Sequence, residues 1–161
     1  MPVKISIFII YCVTVFIPLY PVIVLASPEI NYIIKDDSIL NSLNGLTGDP
    51  YKGRELVRDR NKGNCLACHQ LPIPEDAFHG TIGPSLHKIS LRLTEAQIRL
   101  RVTDMKQINP FSIMPGYYRS PDKITRISPS YENCTILSAQ EVEDIVSYLV
   151  TLKSDPFESP L

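Results

Sequence analysis

Cys65-Leu66-Ala67-Cys68-His69 is the stretch from which the rest of the chain is read. Two thiols separated by two residues and followed at once by an imidazole have the spacing used to attach a c-type haem. The thiols add across the two vinyl groups on one edge of the porphyrin. The two intervening residues set the separation, and His69 then lies beneath the iron as its proximal ligand. Two other chemistries use C-x-x-C. Thiol–disulfide exchange needs a βαβ setting, and none is visible. A zinc site needs more thiolate or imidazole ligands at paired spacing. His79, His87 and Cys134 are available, but their spacing is irregular. The expectation is one covalent haem c on Cys65 and Cys68.

Upstream of the motif, Asp49 is placed to cap a helix and Pro50 suits its first position, where a missing N–H costs nothing. That helix runs to about Arg58, and Asn61-Lys62-Gly63-Asn64 breaks it. Downstream, Gln70 to Ser90 reads as loop, punctuated by Pro72, Pro74, Gly80, Gly83 and Pro84. Thr94 and Gln97 form a capping box that opens a second helix. Ile98, Val102 and Met105 share one face of it, and Asn109-Pro110 ends it. Ser138 and Glu141 form another capping box. Val142, Ile145, Val146, Leu149 and Leu152 then make one apolar stripe. Lys153 complements the negative end of that helix, and Pro156 stops it. There is no repeat and no strand pattern. With 14 prolines in 161 residues, the reading is all-α with long ordered loops.

The sixth iron ligand is a choice between Met105 and Met114. Met105 falls on the apolar face of a helix, where a core role is expected. Met114 lies in a Pro- and Gly-rich loop, 45 residues after His69, that can lie across the open haem face. Met114 is therefore the expected ligand, with His79 and His87 kept as alternatives. An iron-bound imidazole normally donates its other N–H to a carbonyl. Pro84 offers one shortly after the motif.

The N-terminus reads separately. Lys4 precedes an apolar run from Ile5 to Leu25, and Val24-Leu25-Ala26 resembles a cleavage site. Residues 1–26 are expected to be a secretory signal that delivers the chain to the periplasm; an uncleaved anchor is the alternative. Cys12 leaves with that signal, so three cysteines remain. Cys134 is then the odd one, read as a small buried hydrophobe rather than a reactive thiol. Residues 27–47 are an extension, either docking through Ile30, Tyr32, Ile33 and Ile34 or loosely packed. Residues 48–155 form the one domain and 156–161 a tail. A net charge of −1 gives no reason to expect nucleic acid as a partner.

The order helix, C-x-x-C-H, Gly-Pro-x-Leu-His, helix, Met-Pro loop, capped terminal helix resembles the class I cytochrome c fold. In that fold the first and last helices cross closely; Gly53 would permit this, with Tyr148 beside it. Three stretches, residues 80–86, 113–119 and 136–144, resemble the sulfur-oxidation cytochrome family SoxX. The resemblance implies a redox subunit, not catalytic alone, of a heteromeric L-cysteine S-thiosulfotransferase formed with a SoxA-like cytochrome. It implies that thiosulfate is joined oxidatively to a cysteine of a SoxYZ-like carrier. This chain would take the electrons and hand them to a soluble cytochrome c. The alternative is a free-standing periplasmic electron-transfer cytochrome c. Tyr117, Tyr118 and Arg119 could line the haem edge, with Arg119 near a propionate, or form part of the partner surface.

Overall fold

In the computed structural model, residues 30–124, 126, 128–131 and 134–153 are described. The signal expected at residues 1–26 and the tail at 156–161 lie outside the described residues, as do the last two residues of the expected domain.

Helix α1 (Pro50–Arg58) starts where its cap dictates. The Asp49 carboxylate accepts from the backbone N–H groups of Tyr51 (2.9 Å) and Lys52 (3.3 Å). Asn64 then takes a left-handed conformation (φ 46°), which asparagine tolerates better than most residues. That reversal feeds the chain into a 3-10 turn at Cys65–Ala67. Helix α2 (Ile89–Arg92) is a single turn at the end of the stretch expected to be loop. A helix this short shows no apolar periodicity. Its anchor is tertiary, since Ile89 is buried and the Ser90 hydroxyl donates to the Leu152 carbonyl at 2.8 Å.

Helix α3 (Glu95–Asp104) opens with the Thr94–Gln97 capping box. It stops short of Asn109, because Asp104 recaps the chain. The Asp104 carboxylate accepts from Lys106 N–H at 3.1 Å, and a 3-10 turn occupies Met105–Gln107. Helix α4 (Ala139–Thr151) carries the Ser138–Glu141 box. Its stripe of Val142, Ile145, Val146 and Leu149 is buried, as is Leu152 beyond it. Each such side chain contributes about 1.5–3 kcal/mol by leaving water. Among the described residues there is no strand, only one isolated bridge between Lys35 and Ser38.

Helix α1 packs across α4 at very short range. A Cβ on Gly53 would lie 1.9 Å from the Asp144 carbonyl oxygen and 2.9 Å from Tyr148 Cβ, so a side chain cannot be accommodated without separating the helices. This is the expected close crossing, with Tyr148 beside Gly53. Gly48 makes a similar approach to the Glu143 carbonyl, which the sequence did not mark.

The extension is not loosely packed where it joins the domain. Ile39 and Leu43 are each only 2% exposed and belong to the core. They are held by a buried ion pair between α3 and α4. Arg99 donates through Nε to both Glu143 carboxylate oxygens (2.9 and 3.1 Å) and through a guanidinium nitrogen to the Ile39 carbonyl (3.1 Å). The Leu43 N–H completes the arrangement by donating to Glu143 at 2.8 Å. A buried pair is costly to desolvate, so its remaining valences must be filled, and here the backbone of the extension fills them. Ile33 (80% exposed) and Leu40 stay in solvent. Among the described residues no helix is long and apolar enough to cross a membrane.

Candidate functional site

The C-x-x-C-H segment is a tight turn, not an extended loop. Cys68 N–H (3.1 Å) and His69 N–H (2.9 Å) both donate to the Cys65 carbonyl, which brings the two thiol-bearing residues onto one short turn. Burial pushes the Cys65 thiol up to about 12, so as a free thiol it would stay protonated. Its surroundings are apolar, and it packs against the core.

Residues 80–86 run back along this turn and are pinned to it by three backbone hydrogen bonds. Gly80 N–H donates to Leu66 (2.8 Å), Gly83 N–H to Cys68 (2.8 Å) and Leu86 N–H to Gln70 (2.9 Å). The loop brings the Pro84 carbonyl to 2.7 Å from His69 Nδ1. A carbonyl only accepts, so the proton sits on Nδ1 and the lone pair of Nε2 is left for a metal. Gly83 lies against the ring. A Cβ there would fall 2.2 Å from His69 Cε1. Pro84 was expected from the sequence as the acceptor; Gly83 was read only as loop punctuation and proves to be the surface on which the imidazole rests.

The histidine and methionine alternatives differ in how they are held. Both ring nitrogens of His79 are taken by backbone, with Leu71 N–H donating to Nδ1 and Nε2 facing the Ile73 carbonyl, each at 3.2 Å. His79 is a loop staple rather than an iron ligand. Met114 is half-buried and packs against the core, whereas Met105 sits half-buried at the α3 terminus outside that cluster. The core role expected of Met105 is thus not what the packing shows; the early end of α3 at Asp104 takes it off the apolar face. Among the described residues no group of three or more His, Cys, Asp or Glu side chains could hold a metal ion, so the zinc alternative has no donor set.

The loop after Met114 is fixed at several points. Tyr118 N–H donates to the Thr103 carbonyl of α3 (3.0 Å), and Leu137 N–H donates to the Tyr117 carbonyl (2.9 Å). Tyr117 and Tyr118 are buried, which removes both from any partner surface. The Tyr117 phenol donates to the Gly63 carbonyl at 2.7 Å. Burial, and then the neighbouring Cys65 and Cys68, raise its pKa well above that of an ordinary tyrosine. Arg119 is paired with fully buried Asp104 (3.6 Å). Cys134 is exposed, contrary to the expectation of a buried hydrophobe. It follows the short turn at Pro129–Tyr131, where its N–H donates to the Tyr131 carbonyl at 3.3 Å.

These residues fit a haem attached through thioethers. Two cysteines share one turn, an imidazole is held in the correct tautomer, and a glycine leaves its ring room. Ile82 and Ile113, which precede Gly83 and Met114, are 69% and 76% exposed, leaving apolar side chains uncovered beside both segments. An all-helical frame with such a site defines a class I cytochrome c.

Comparison with known proteins agrees. The cytochrome c family matches residues 51–153. The crystal structure of SoxXA from P. pantotrophus is similar, with a TM-score of 0.71 and 34% identity over 76% of this chain and 95% of that one. No curated protein sequence matches at a comparable level of significance. The chain belongs to the cytochrome c family, carries covalent haem c, and is a SoxX-like electron-transfer cytochrome.

Proposed function

We propose that this chain is the redox subunit of a two-cytochrome complex with a SoxA-like partner. In that complex thiosulfate is joined oxidatively to a cysteine thiol of a SoxYZ-like carrier. Forming that sulfur–sulfur bond releases two electrons and the thiol proton. The chain accepts the electrons one at a time and passes them to a soluble cytochrome c. The whole forms a heteromeric L-cysteine S-thiosulfotransferase in which this subunit is not catalytic alone.

When bound, the haem supplies a one-electron couple whose potential is higher with a thioether sixth ligand than with a second imidazole. Cys65 and Cys68 would hold it covalently, and His69 and Met114 would ligate its iron. The protein's part is to keep these groups still. Pro84 and Gly83 fix the His69 ring, and the Tyr117–Tyr118 backbone fixes the Met114 loop. Little rearrangement on electron transfer then follows. Residues 1–26 act as a secretory signal for the periplasm, and residues 48–155 form the cytochrome domain.

The observation that carries this reading is the His69–Pro84 contact, which leaves Nε2 for iron, in a chain 34% identical to a SoxXA structure. The test is reconstitution. The mature chain, a SoxA-like cytochrome and a SoxYZ-like carrier are mixed with thiosulfate, and haem reduction is followed by visible absorption. Reduction that requires all three supports the proposal. A chain that stays monomeric, and is reduced equally well by unrelated donors without the partner, is a free-standing electron carrier instead.

A further inference from the structure

We propose that Tyr117 is a positioning residue for the sixth iron ligand, its hydroxyl tying the loop that carries Met114 to the turn that carries Cys65. The inference rests on Met114 being that ligand. The phenol lies three residues beyond Met114 and donates to the Gly63 carbonyl, 54 residues away in sequence, at 2.7 Å. Gly63 is buried and sits two residues before Cys65. Among the described residues no other hydrogen bond joins residues 111–119 to residues 59–69.

The backbone at this position cannot drift. The Tyr117 carbonyl accepts from Leu137 (2.9 Å) and the next N–H donates to Thr103 (3.0 Å). A rigid aromatic ring on a fixed backbone transmits the position of the ligand loop directly to the thioether turn. Arg119 and the short backbone bonds hold the loop to α3 and to the approach to α4. Neither reaches the cysteine turn. Without the hydroxyl the loop keeps its fold but loses its only hydrogen-bonded reference to the other ligand's segment. The Gly63 carbonyl also loses this donor while buried, which adds to the cost.

The test uses the ferric holoprotein and added imidazole, which competes with the methionine sulfur for iron. Tyr117→Phe keeps the ring and so the packing. Its haem should remain covalent and its weak sulfur-to-iron absorption band should persist, but imidazole should bind roughly tenfold more tightly, the size of one lost buried hydrogen bond. Val57→Ala, which opens a cavity in fully buried α1 packing, is the comparison. It should lower the unfolding midpoint and leave imidazole affinity within about twofold. Unchanged affinity in Tyr117→Phe, or an equal rise in Val57→Ala, overturns the inference. A wild-type protein without the sulfur band, or a Met114→Ala variant that retains it, overturns the ligand reading itself.

Discussion

Replacing Gly83 by alanine tests how the imidazole is held. A Cβ on Gly83 would lie 2.2 Å from His69 Cε1, 2.6 Å from Nδ1 and 2.7 Å from Nε2. Ordinary contact begins near 3.4 Å, so ring or loop must yield by about 1.2 Å, the difference between 3.4 and 2.2. The Nδ1 contact with Pro84 is 2.7 Å long, and a shift of that size takes it beyond hydrogen-bonding range. Two costs combine: about 0.5–1.5 kcal/mol for the hydrogen bond and about 1–3 kcal/mol for overpacking. A net loss of about 1.5–4.5 kcal/mol lowers the Tm of a domain this size by roughly 6–18 °C. The His69 ring is only half-buried, so it has a second way out, swinging toward solvent. That route spares stability but changes the iron's ligands, and the visible spectrum reports it. Thermal unfolding and absorption spectra of the holoprotein are therefore measured together. A Gly83→Ala protein with the wild-type Tm and the wild-type spectrum refutes the reasoning, because both routes would then be closed.

Three further outcomes follow from the geometry. Met114→Ala abolishes the weak sulfur-to-iron absorption band and lowers the potential, whereas Met105→Ala does neither; spectroelectrochemistry of the two variants distinguishes them. Gly53→Ala gains about 1 kcal/mol of helix propensity yet places a methyl 1.9 Å from the Asp144 carbonyl. The clash outweighs the propensity, and the urea midpoint falls by the equivalent of at least about 1 kcal/mol. Glu141 pairs with Lys62 at 2.8 Å. Burial works to raise its pKa, but the bonds from Lys62 and Ser138 outweigh burial and hold it below the ordinary glutamate value. Its contribution is therefore present above the unfolded pKa and lost as pH falls through the folded one. Glu141→Gln preserves the capping box, so it costs about 0.5–1 kcal/mol at neutral pH and nothing once the carboxyl is protonated. Urea unfolding at neutral and acid pH checks this, and an equal penalty at both contradicts it.

What could be read from the sequence was local. Asp49-Pro50, Thr94 with Gln97, and Ser138 with Glu141 each satisfy backbone donors within one turn, so the start of each long helix was visible in a few residues. The haem motif is likewise a five-residue statement, and the Gly83-Pro84 step lies close enough to suggest the His69 contact. The remainder depends on segments far apart in sequence. Nothing near Arg99 marks it as the buried partner of Glu143, 44 residues away, or as the clamp on Ile39. The extension consequently read as peripheral although Ile39 and Leu43 lie in the core. Ile89–Arg92 is too short to show a period, and α3 ends at Asp104 through a side-chain cap that overrides the apolar pattern continuing to Met105. Tyr117 was legible as a haem-edge or partner-surface candidate, but its bond to Gly63 was not, since the partner is a backbone carbonyl.

The intact mass of the mature protein, with the modified peptide mapped after acid extraction of non-covalent haem, tests the central claim most directly. One haem is expected to add to the polypeptide mass, to be retained through extraction and to lie on the peptide containing Cys65 and Cys68. An unmodified polypeptide whose two thiols both react with an alkylating reagent contradicts it.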